Sequence, residues 1–166
     1  GAMSRLTLWG HFLEGRARTA FERLFGAEVG SNVLLNNWAQ LVELVHAVER
    51  SMELCELLAA MPRATSEMQQ YSVRAGRGIA AIEVPRGTLF HEYELDSDGL
   101  VVSANVITPT AQNLANTERD LRIAVERMLA EDGFIDNREL SLQLEMVARA
   151  YDPCISCSVH VVRDDA

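Results

Sequence analysis

The sequence has little cysteine, few basic residues for its acidic content and no long apolar run. Its 166 residues include 15 Lys and Arg against 24 Asp and Glu, a formal charge of −9. Nucleic-acid binding requires a surplus of cations on one face, so this balance argues against a nucleic-acid partner. No apolar run approaches the roughly 20 residues of a transmembrane helix, so we expect no membrane span.

The cysteines, Cys55, Cys154 and Cys157, are too few and too unevenly spaced for a disulfide framework. No secretory signal is recognisable, and we expect a location in the reducing cytoplasm. The start of the chain, residues 1–3, has the form of a protease-cleavage scar, so we expect the native fold to begin at residue 4. His46 and Cys55 lie in an apolar helical pattern, where we expect both to be core or rim residues.

Hydrophobic residues make up 48% of the chain and charged residues 23%, a composition typical of one globular domain. Apolar residues recur at helical spacing, with caps or breakers at the ends, in the segments 6–26, 36–58, 117–132 and 136–152. Alternating and β-branched residues predict strands at 79–84, 88–95 and 100–107, with turn residues at 96–99 and a loop at 62–78. We therefore predict a mainly α, α+β fold, with about four helices packed with a small antiparallel β-hairpin sheet.

The strongest chemical signal is the segment 152–160, which reads D-P-C-I-S-C-S-V-H. Two thiolates separated by two residues can bind one soft or borderline metal ion from a single turn. Spacing alone leaves three interpretations open. The pair is half of a zinc site, half of a nickel–thiolate site, or a dithiol redox pair.

This segment and two others resemble one family, the large subunits of [NiFe]-hydrogenases. The closing D-P-C-x-x-C-x-x-H signature of that family is matched at 152–160. Its E-A-P-R-G-x-L-x-H segment is similar to E-V-P-R-G-T-L-F-H at 83–91, with Val84 in place of Ala. Its P-T-x-x-N segment is similar to P-T-A-Q-N at 109–113. The residues of these three segments are most similar to the C-terminal portion of the large subunit in one branch of the family. That branch is cytoplasmic and bidirectional, and it works with NAD(P) or F420 partner modules.

The resemblance implies a role for each matched residue. Cys154 corresponds to a terminal nickel ligand, and Cys157 to the ligand that bridges nickel to an iron carrying CN⁻ and CO. Arg86 would lie over the iron, where a guanidinium can donate to a cyanide nitrogen. Pro109 and Thr110 would contact the other cyanide. Cys154, Cys157 and Arg86 are thus the implied catalytic residues, and Arg86, Pro109 and Thr110 the implied cofactor-binding residues.

His160 completes the implied metal-binding set together with Cys154 and Cys157. In the family it would help to hold a magnesium or similar ion, with a backbone carbonyl near Ile107 or Thr108. Without the resemblance, the residues permit plainer structural interpretations. Arg86 would close a turn with Glu83 or Glu92, and the segment 109–110 would end a strand.

The sequence also departs from the family's pattern. The family's active site uses four thiolates, two of them from an N-terminal C-G-x-C motif, and this sequence contains no second C-x-x-C. We therefore interpret residues 4–160 as the C-terminal domain of a large subunit. We expect it to be incomplete and inactive alone, so its status as an enzyme stays open. Residues 161–166 resemble the extension that a maturation endopeptidase removes after the final His.

The resemblance implies a function in reversible H2 oxidation and proton reduction, with half of the nickel–iron thiolates supplied by this chain. The implied partners are the missing N-terminal part of the large subunit, an iron–sulfur small subunit and the maturation endopeptidase. The alternative is a non-catalytic nickel- or zinc-binding module, in which a second copy of the chain completes a tetrathiolate site. A dithiol redox protein ranks below both, because it leaves Arg86, Pro109 and Thr110 without a role.

Overall fold

The computed structural model describes residues 1–26, 28–62, 70–132 and 136–153. This part of the chain is mainly helical with one small antiparallel sheet, which confirms the predicted fold class. In chain order the elements are α1 (Ala2–Trp9), a 3-10 turn (Gly10–Phe12), α2 (Gly15–Phe25), a second 3-10 turn (Val33–Leu35), α3 (Asn36–Ala60), β1 (Gly76–Val84), β2 (Gly87–Leu95), β3 (Val101–Ile107), α4 (Pro109–Asp132) and α5 (Asn137–Ala150). None of the described helices has an apolar stretch of the length and hydropathy that a bilayer span requires.

The sheet is a meander in the order β1-β2-β3. Its second turn confirms the predicted turn at 96–99, where Asp96 Oδ1 accepts from the backbone N–H of both Asp98 and Leu100 at 2.9 Å. The first turn is tighter, because the pairing of Val84 with Gly87 leaves two residues at the tip. Strand β1 begins at Gly76, inside the segment that we expected to be a loop, because its pairing with β2 continues as far as Leu95.

The first predicted helix is divided into α1 and α2. Gly10 lies where a Cβ would come within 2.7 Å of the Phe21 ring, so the chain turns at that point to let α1 and α2 pack closely. Gly15 has a φ of +59°, a left-handed conformation that glycine adopts without strain. The apolar spacing of 6–26 is compatible with one continuous helix, and only the packing of Phe21 reveals the break.

Helix α4 begins at Pro109, eight residues before the start that we predicted at Thr117. Thr108 Oγ1 accepts from the backbone N–H of Ala111 at 3.4 Å, and proline is favoured at the first helical position. Thr117 instead lies inside the helix, with its hydroxyl donating to the carbonyl of Asn113. The plainer interpretation that residues 109–110 end a strand is therefore wrong, since both belong to the first turn of α4.

Helix α5 begins and ends as predicted. Asp136 accepts from the backbone N–H of Arg138 and Glu139, the pattern of an N-terminal cap. The helix ends at Ala150, and Asp152 has a φ of +52°, which turns the chain away from the helix before Pro153. The closing segment that carries the cysteines therefore starts from a fixed point at the end of α5.

The main core cluster lies between α1, α2 and α3. Its buried members are all apolar, and they are Ala2, Leu6, Phe21, Ala39 and Val42. A smaller buried group of Val147, Ala148 and Ala150 lies on α5.

Much of the apolar stripe on α3 points outward from this core. Leu44, Val48, Met52 and Leu58 are each more than half exposed, and Cys55 is exposed as well. His46 is also exposed, so our expectation of a core or rim position for His46 and Cys55 is wrong. The periodicity predicted the helix correctly, but it does not say which surface covers the stripe.

A carboxylate on α3 serves as the cap of α2. The side chain of Glu14, the residue at the N-cap position of α2, makes no capping bond. Glu49 instead accepts from the backbone N–H of Arg16 at 2.9 Å and of Ala17 at 3.1 Å. These two bonds lower the pKa of the Glu49 carboxyl from its usual value, against a smaller opposing effect of burial.

This cap gives the stability of the chain an acid dependence. Because the pKa of Glu49 is lower in the folded state, its contribution is present above the unfolded pKa of about 4.3 and is lost as the pH falls through the folded pKa. Glu49→Gln should therefore lower the urea midpoint near neutral pH, and the difference from the parent should shrink toward about pH 3. Glu56→Gln, an exposed change on the same helix, is the control. Equal losses in the two variants would contradict the assignment.

Candidate functional site

The structure describes three of the predicted site residues. Arg86 lies at the tip of the β1–β2 turn, and Pro109 and Thr110 form the first turn of α4. Cys154, Cys157 and His160 lie outside the described residues, as does the extension at 161–166. The described chain reaches Pro153, the residue directly before Cys154 in the closing motif.

Arg86 forms an ion pair with Asp152, which is 66 residues further along the chain. The Arg86 Nη2 donates to Asp152 Oδ1 at 3.1 Å, and Nε lies 3.0 Å from Oδ2. The Arg86 Nε also donates to the Asp152 backbone carbonyl. Both side chains are about a third exposed, so the pair adds little to stability, but its two-point contact fixes the plane of the guanidinium.

The structure does not show the plainer pairing of Arg86 with Glu83 or Glu92. Glu83 pairs with Arg5, and Glu92 pairs with Arg77 across the sheet. Each of these carboxylates thus has another arginine, while Arg86 pairs with Asp152. The turn at the tip of the hairpin is thereby joined to the residue that leads into the cysteine motif.

Two amide side chains on α3, one turn apart, hold the end of α5. Gln40 Nε2 donates to Asp152 Oδ2 at 3.0 Å, so the carboxylate that binds Arg86 is also held from α3. Asn36 Nδ2 donates to the carbonyl of Ala150 at 2.7 Å, and its Oδ1 accepts from the backbone N–H of Met3 at 3.4 Å. Asn36 is the first residue of α3, and its side chain links α3 to α1 and to the end of α5.

Tyr151 provides a second attachment of the same segment. Its hydroxyl donates to Asp120 Oδ2 at 2.6 Å, across the α4–α5 contact. Burial and this hydrogen bond to the Asp120 carboxylate raise the pKa of Tyr151 well above its ordinary value. The hydroxyl therefore stays protonated and remains a donor at any physiological pH.

The start of α4 lies against the Arg86 turn. Gly87 has a φ of +143°, and a Cβ added there would come within 3.3 Å of the Pro109 Cβ. Gln112 Nε2 donates to the carbonyl of Thr88 at 2.7 Å, which ties α4 to β2. The two sequence segments that carry Arg86 and Pro109 are therefore packed together, and glycine at position 87 permits their close approach.

Two cavities flank this junction. One, of about 160 Å³, includes Asn36, Gln40, Arg86 and Tyr151 in its wall. The other, of about 520 Å³, is bordered by residues of the hairpin turn and the start of α4, among them Arg86 and Pro109. Arg86 thus lines both cavities, next to the point where the cysteine segment begins.

The described residues include no cluster of three or more His, Cys, Asp or Glu side chains that could hold a metal ion. The groups that the sequence predicts as metal ligands are the thiols of Cys154 and Cys157 and the imidazole of His160. Thiolates are soft ligands, and this donor set suits nickel or zinc rather than a hard cation. The described part of the site contributes a hydrogen-bond donor and its supports, which fits a metal centre with anionic ligands.

Several contacts of this site were not predicted from the sequence. Asp152 was identified as the first residue of the closing motif and as the end of a helix, but no partner was predicted for it, and Gln40 was given no role. The sequence feature that could have identified such residues is a pair of polar side chains on a helical face that otherwise packs against neighbouring elements. Asn36 and Gln40, four residues apart, form such a pair. That spacing places both on one side of α3, yet it does not identify what they contact.

Known proteins resemble the chain over most of its length. The family model described as nickel-dependent hydrogenase matches residues 15–160. Sulfhydrogenase 1 subunit alpha of Pyrococcus furiosus is 41% identical over 165 residues, which are 98% of this chain and 37% of the relative. NAD-reducing hydrogenase HoxS subunit beta of Cupriavidus necator is 31% identical, over 98% of this chain and 34% of the relative.

A solved structure agrees with these relatives. The crystal structure of an NAD+-reducing [NiFe]-hydrogenase in the H2-reduced state superposes with a TM-score of 0.63 at 31% identity, covering 89% of this chain and 32% of that one. The chain spans little more than a third of the length of these two relatives and 32% of the solved chain. Since the family model covers most of its residues, the chain belongs to the nickel-dependent hydrogenase family.

Proposed function

We propose that the chain is the C-terminal part of a [NiFe]-hydrogenase large subunit and supplies half of the thiolate ligands of the nickel–iron centre. The complete enzyme would catalyse reversible H2 oxidation and proton reduction, and this part would be inactive alone. The observation that carries the proposal is the Arg86–Asp152 ion pair, which joins the hairpin motif to the residue two positions before Cys154. Such a pair suits a centre with anionic ligands, because Asp152 fixes the orientation of the Arg86 guanidinium, which can then donate hydrogen bonds to those ligands.

In this proposal the cysteines hold the metals. Cys154 would be a terminal nickel ligand and Cys157 the bridge from nickel to iron, while His160 would help to hold a magnesium ion nearby. When bound, the nickel–iron centre supplies the Lewis-acid and redox chemistry of H2 cleavage. Cys154 Sγ would act as the proton acceptor, since a thiolate next to the reacting atoms is a suitable base.

Arg86 and the start of α4 would shape the space around the iron ligands. The ion-pair contacts of Arg86 use Nε and Nη2, and a guanidinium carries further N–H donors on Nη1. These donors would bind one cyanide and limit the access of water, while Pro109 and Thr110 would contact the other cyanide, with the Thr110 hydroxyl donating. Pro109 is buried and Thr110 is half-buried, so a small polar ligand bound beside them would be partly shielded from water.

The exposed apolar stripe of α3 and the sheet would be covered in the complete enzyme. Leu44, Met52 and Leu58 on α3, and Ile79 and Val102 on the sheet, are each more than half exposed. Isolated exposed apolar residues are ordinary, but a series along one helix marks a contact surface. We propose that the remaining part of the large subunit covers it, and that an iron–sulfur small subunit and a maturation endopeptidase are further partners in the cytoplasm.

Nickel binding tests the proposal directly. Anaerobic titration of the reduced chain with Ni²⁺ should produce thiolate-to-nickel charge-transfer absorption that is lost in both Cys154→Ser and Cys157→Ser. Cys55→Ser, which removes the exposed cysteine of α3, is the matched control and should bind as the parent does. Parent-like nickel uptake in both motif variants would contradict the assignment.

The same titration distinguishes the alternative function. One metal ion per two chains, with zinc bound as readily as nickel, would identify a tetrathiolate site shared by two copies and favour a non-catalytic module. One nickel ion per chain would favour an open half-site that awaits the other thiolates. A reversible disulfide between Cys154 and Cys157 at physiological potentials would favour the dithiol redox function instead.

A further inference from the structure

We propose that Arg5 is a positioning residue for Arg86, acting by holding the peptide groups of the β1–β2 turn. The inference rests on the proposed role of Arg86 and adds a residue that lies outside all three hydrogenase-like motifs. It assigns to α1 a part in the site, although α1 contributes none of the residues that were predicted from the sequence.

The contacts of Arg5 reach from the helical core to the hairpin. Its Nε donates to Glu43 Oε1 at 2.6 Å and its Nη2 to Glu43 Oε2 at 2.7 Å, a two-point pair with α3. Its Nη1 donates to the carbonyl of Val84 at 3.0 Å and to the Glu83 carboxylate, and its Nη2 donates to the carbonyl of Pro85 at 2.8 Å. Arg5 therefore clamps the strand end directly before Arg86.

These bonds involve the two carbonyls that determine the direction of the turn. Val84 and Pro85 precede Arg86, so fixing their oxygens fixes the peptide planes on either side of Pro85. Proline already restricts its own φ to about −65°, which leaves little freedom in the segment. From this turn the Arg86 side chain reaches the residue that follows α5, where Asp152 accepts hydrogen bonds from its guanidinium.

The number of occupied N–H donors distinguishes Arg5, as a positioning residue, from Arg86, which can contact a ligand. A guanidinium carries five N–H donors, and the five contacts of Arg5 use one on Nε and two on each terminal nitrogen. Every donor is therefore occupied, and none is left for a ligand in the neighbouring cavity. Arg86 differs, because its described contacts use Nε and Nη2.

The local charges permit two arginines to lie at the same turn. Glu43 and Glu83 both bind Arg5, so two carboxylates offset its charge. The hydrogen bonds that Arg5 donates to the Glu43 carboxylate raise the pKa of Arg5 above its ordinary value, against the opposing effect of partial burial. Arg5 thus remains a cation without repelling the guanidinium of Arg86.

Nitrogen-15 NMR of the arginine side chains tests the inference. The Nε–H signal of Arg86, identified by its loss in Arg86→Lys, should shift toward the position of a free arginine in Arg5→Met. The exchange of this proton with water should become about tenfold faster, because the contacts of Arg86 would lose stabilisation equal to about one hydrogen bond. Methionine keeps much of the length of the apolar stem, so α1 retains its packing.

Arg18→Met is the matched control. Arg18 donates to the Glu22 carboxylate at 2.6 Å and to the carbonyl of His11 at 2.9 Å, so it also combines an ion pair with a backbone contact, but it does so within the helical part. This variant should leave the Arg86 signal unchanged. An unchanged Arg86 signal in Arg5→Met would overturn the inference.

A second variant keeps the test decisive if Arg5→Met does not fold. Arg5→Lys preserves the charge opposite Glu43, but one ammonium group cannot reach Glu43 and both carbonyls in the same geometry. The Arg86 signal should change in this variant also, and retention of the parent signal would overturn the inference. The NMR measurement does not require nickel, so failure of the nickel titration bears on the proposed function alone.

Discussion

In the complete hydrogenase that we propose for this chain, hydrogen turnover is expected to fall about 100-fold when Arg86 is replaced by lysine, the usual effect of removing one preorganised donor from an active site. Lysine keeps the positive charge but loses the planar fork that contacts both oxygens of Asp152. The ammonium group would no longer be held in one plane, and its donors would not point in fixed directions. The decrease should appear in kcat, measured with a dye acceptor, at unchanged nickel and iron content.

Arg77→Lys is the matched control for this prediction. Arg77 also lies in the β1–β2 hairpin and also pairs with a carboxylate, Glu92, but it is on the strand rather than at the tip. Turnover should stay at the parent level in that variant. Asp152→Asn retains the shape of the carboxylate without its charge and should give an intermediate loss of about tenfold. Parent-like turnover by a fully metal-loaded Arg86→Lys enzyme would contradict the proposed role of Arg86.

Phe21→Ala is expected to destabilise the isolated chain by about 3–5 kcal/mol, the range for truncating a buried aromatic side chain. Phe21 is 6% exposed and belongs to the main core cluster with Leu6 and Val42. It also packs against Gly10, where the close approach of the ring sets the break between α1 and α2. A cavity at this point is lined by three helices, so few side chains can move in to fill it. The measurement is the free energy of unfolding from urea titration followed by circular dichroism.

Phe12→Ala provides the comparison within the same region. Phe12 is 65% exposed, although its ring contacts Trp9 and His11. Its loss should cost less than about 1 kcal/mol, as for most surface positions. If Phe21→Ala abolishes folding, the milder Phe21→Leu should still be less stable than Phe12→Ala. Equal losses at the two positions would show that the helical core described here does not determine the stability of the chain.

Local sequence patterns identified most elements of the fold. The three-and-four spacing predicted α3 and α5, and the Asp136 cap set the start of α5. The turn residues at 96–99 predicted the hairpin of β2 and β3, because aspartate and glycine favour that backbone conformation locally. These signals succeed because they concern residues that are neighbours within one turn or one strand pair.

The errors arose where distant packing decided the outcome. Helix α4 starts at Pro109 rather than Thr117, since Thr108 and Pro109 form a better helix start, next to Gly87 of the hairpin. The apolar face of α3 was correctly found but wrongly taken as a guide to the burial of His46 and Cys55. Periodicity shows that a face is apolar, but only the tertiary structure shows whether anything covers it.

By itself the sequence determined the fold class and the likeness to a hydrogenase large subunit, and it predicted the residue types of a metal site. Motif spacing suffices for these, because thiolates two residues apart can reach one metal ion wherever the segment lies. The tertiary structure alone decided that Arg86 meets Asp152 across 66 residues, and that Arg5 holds the turn which carries it. Such contacts depend on how helices and sheet pack, and no local pattern of residues contains that information.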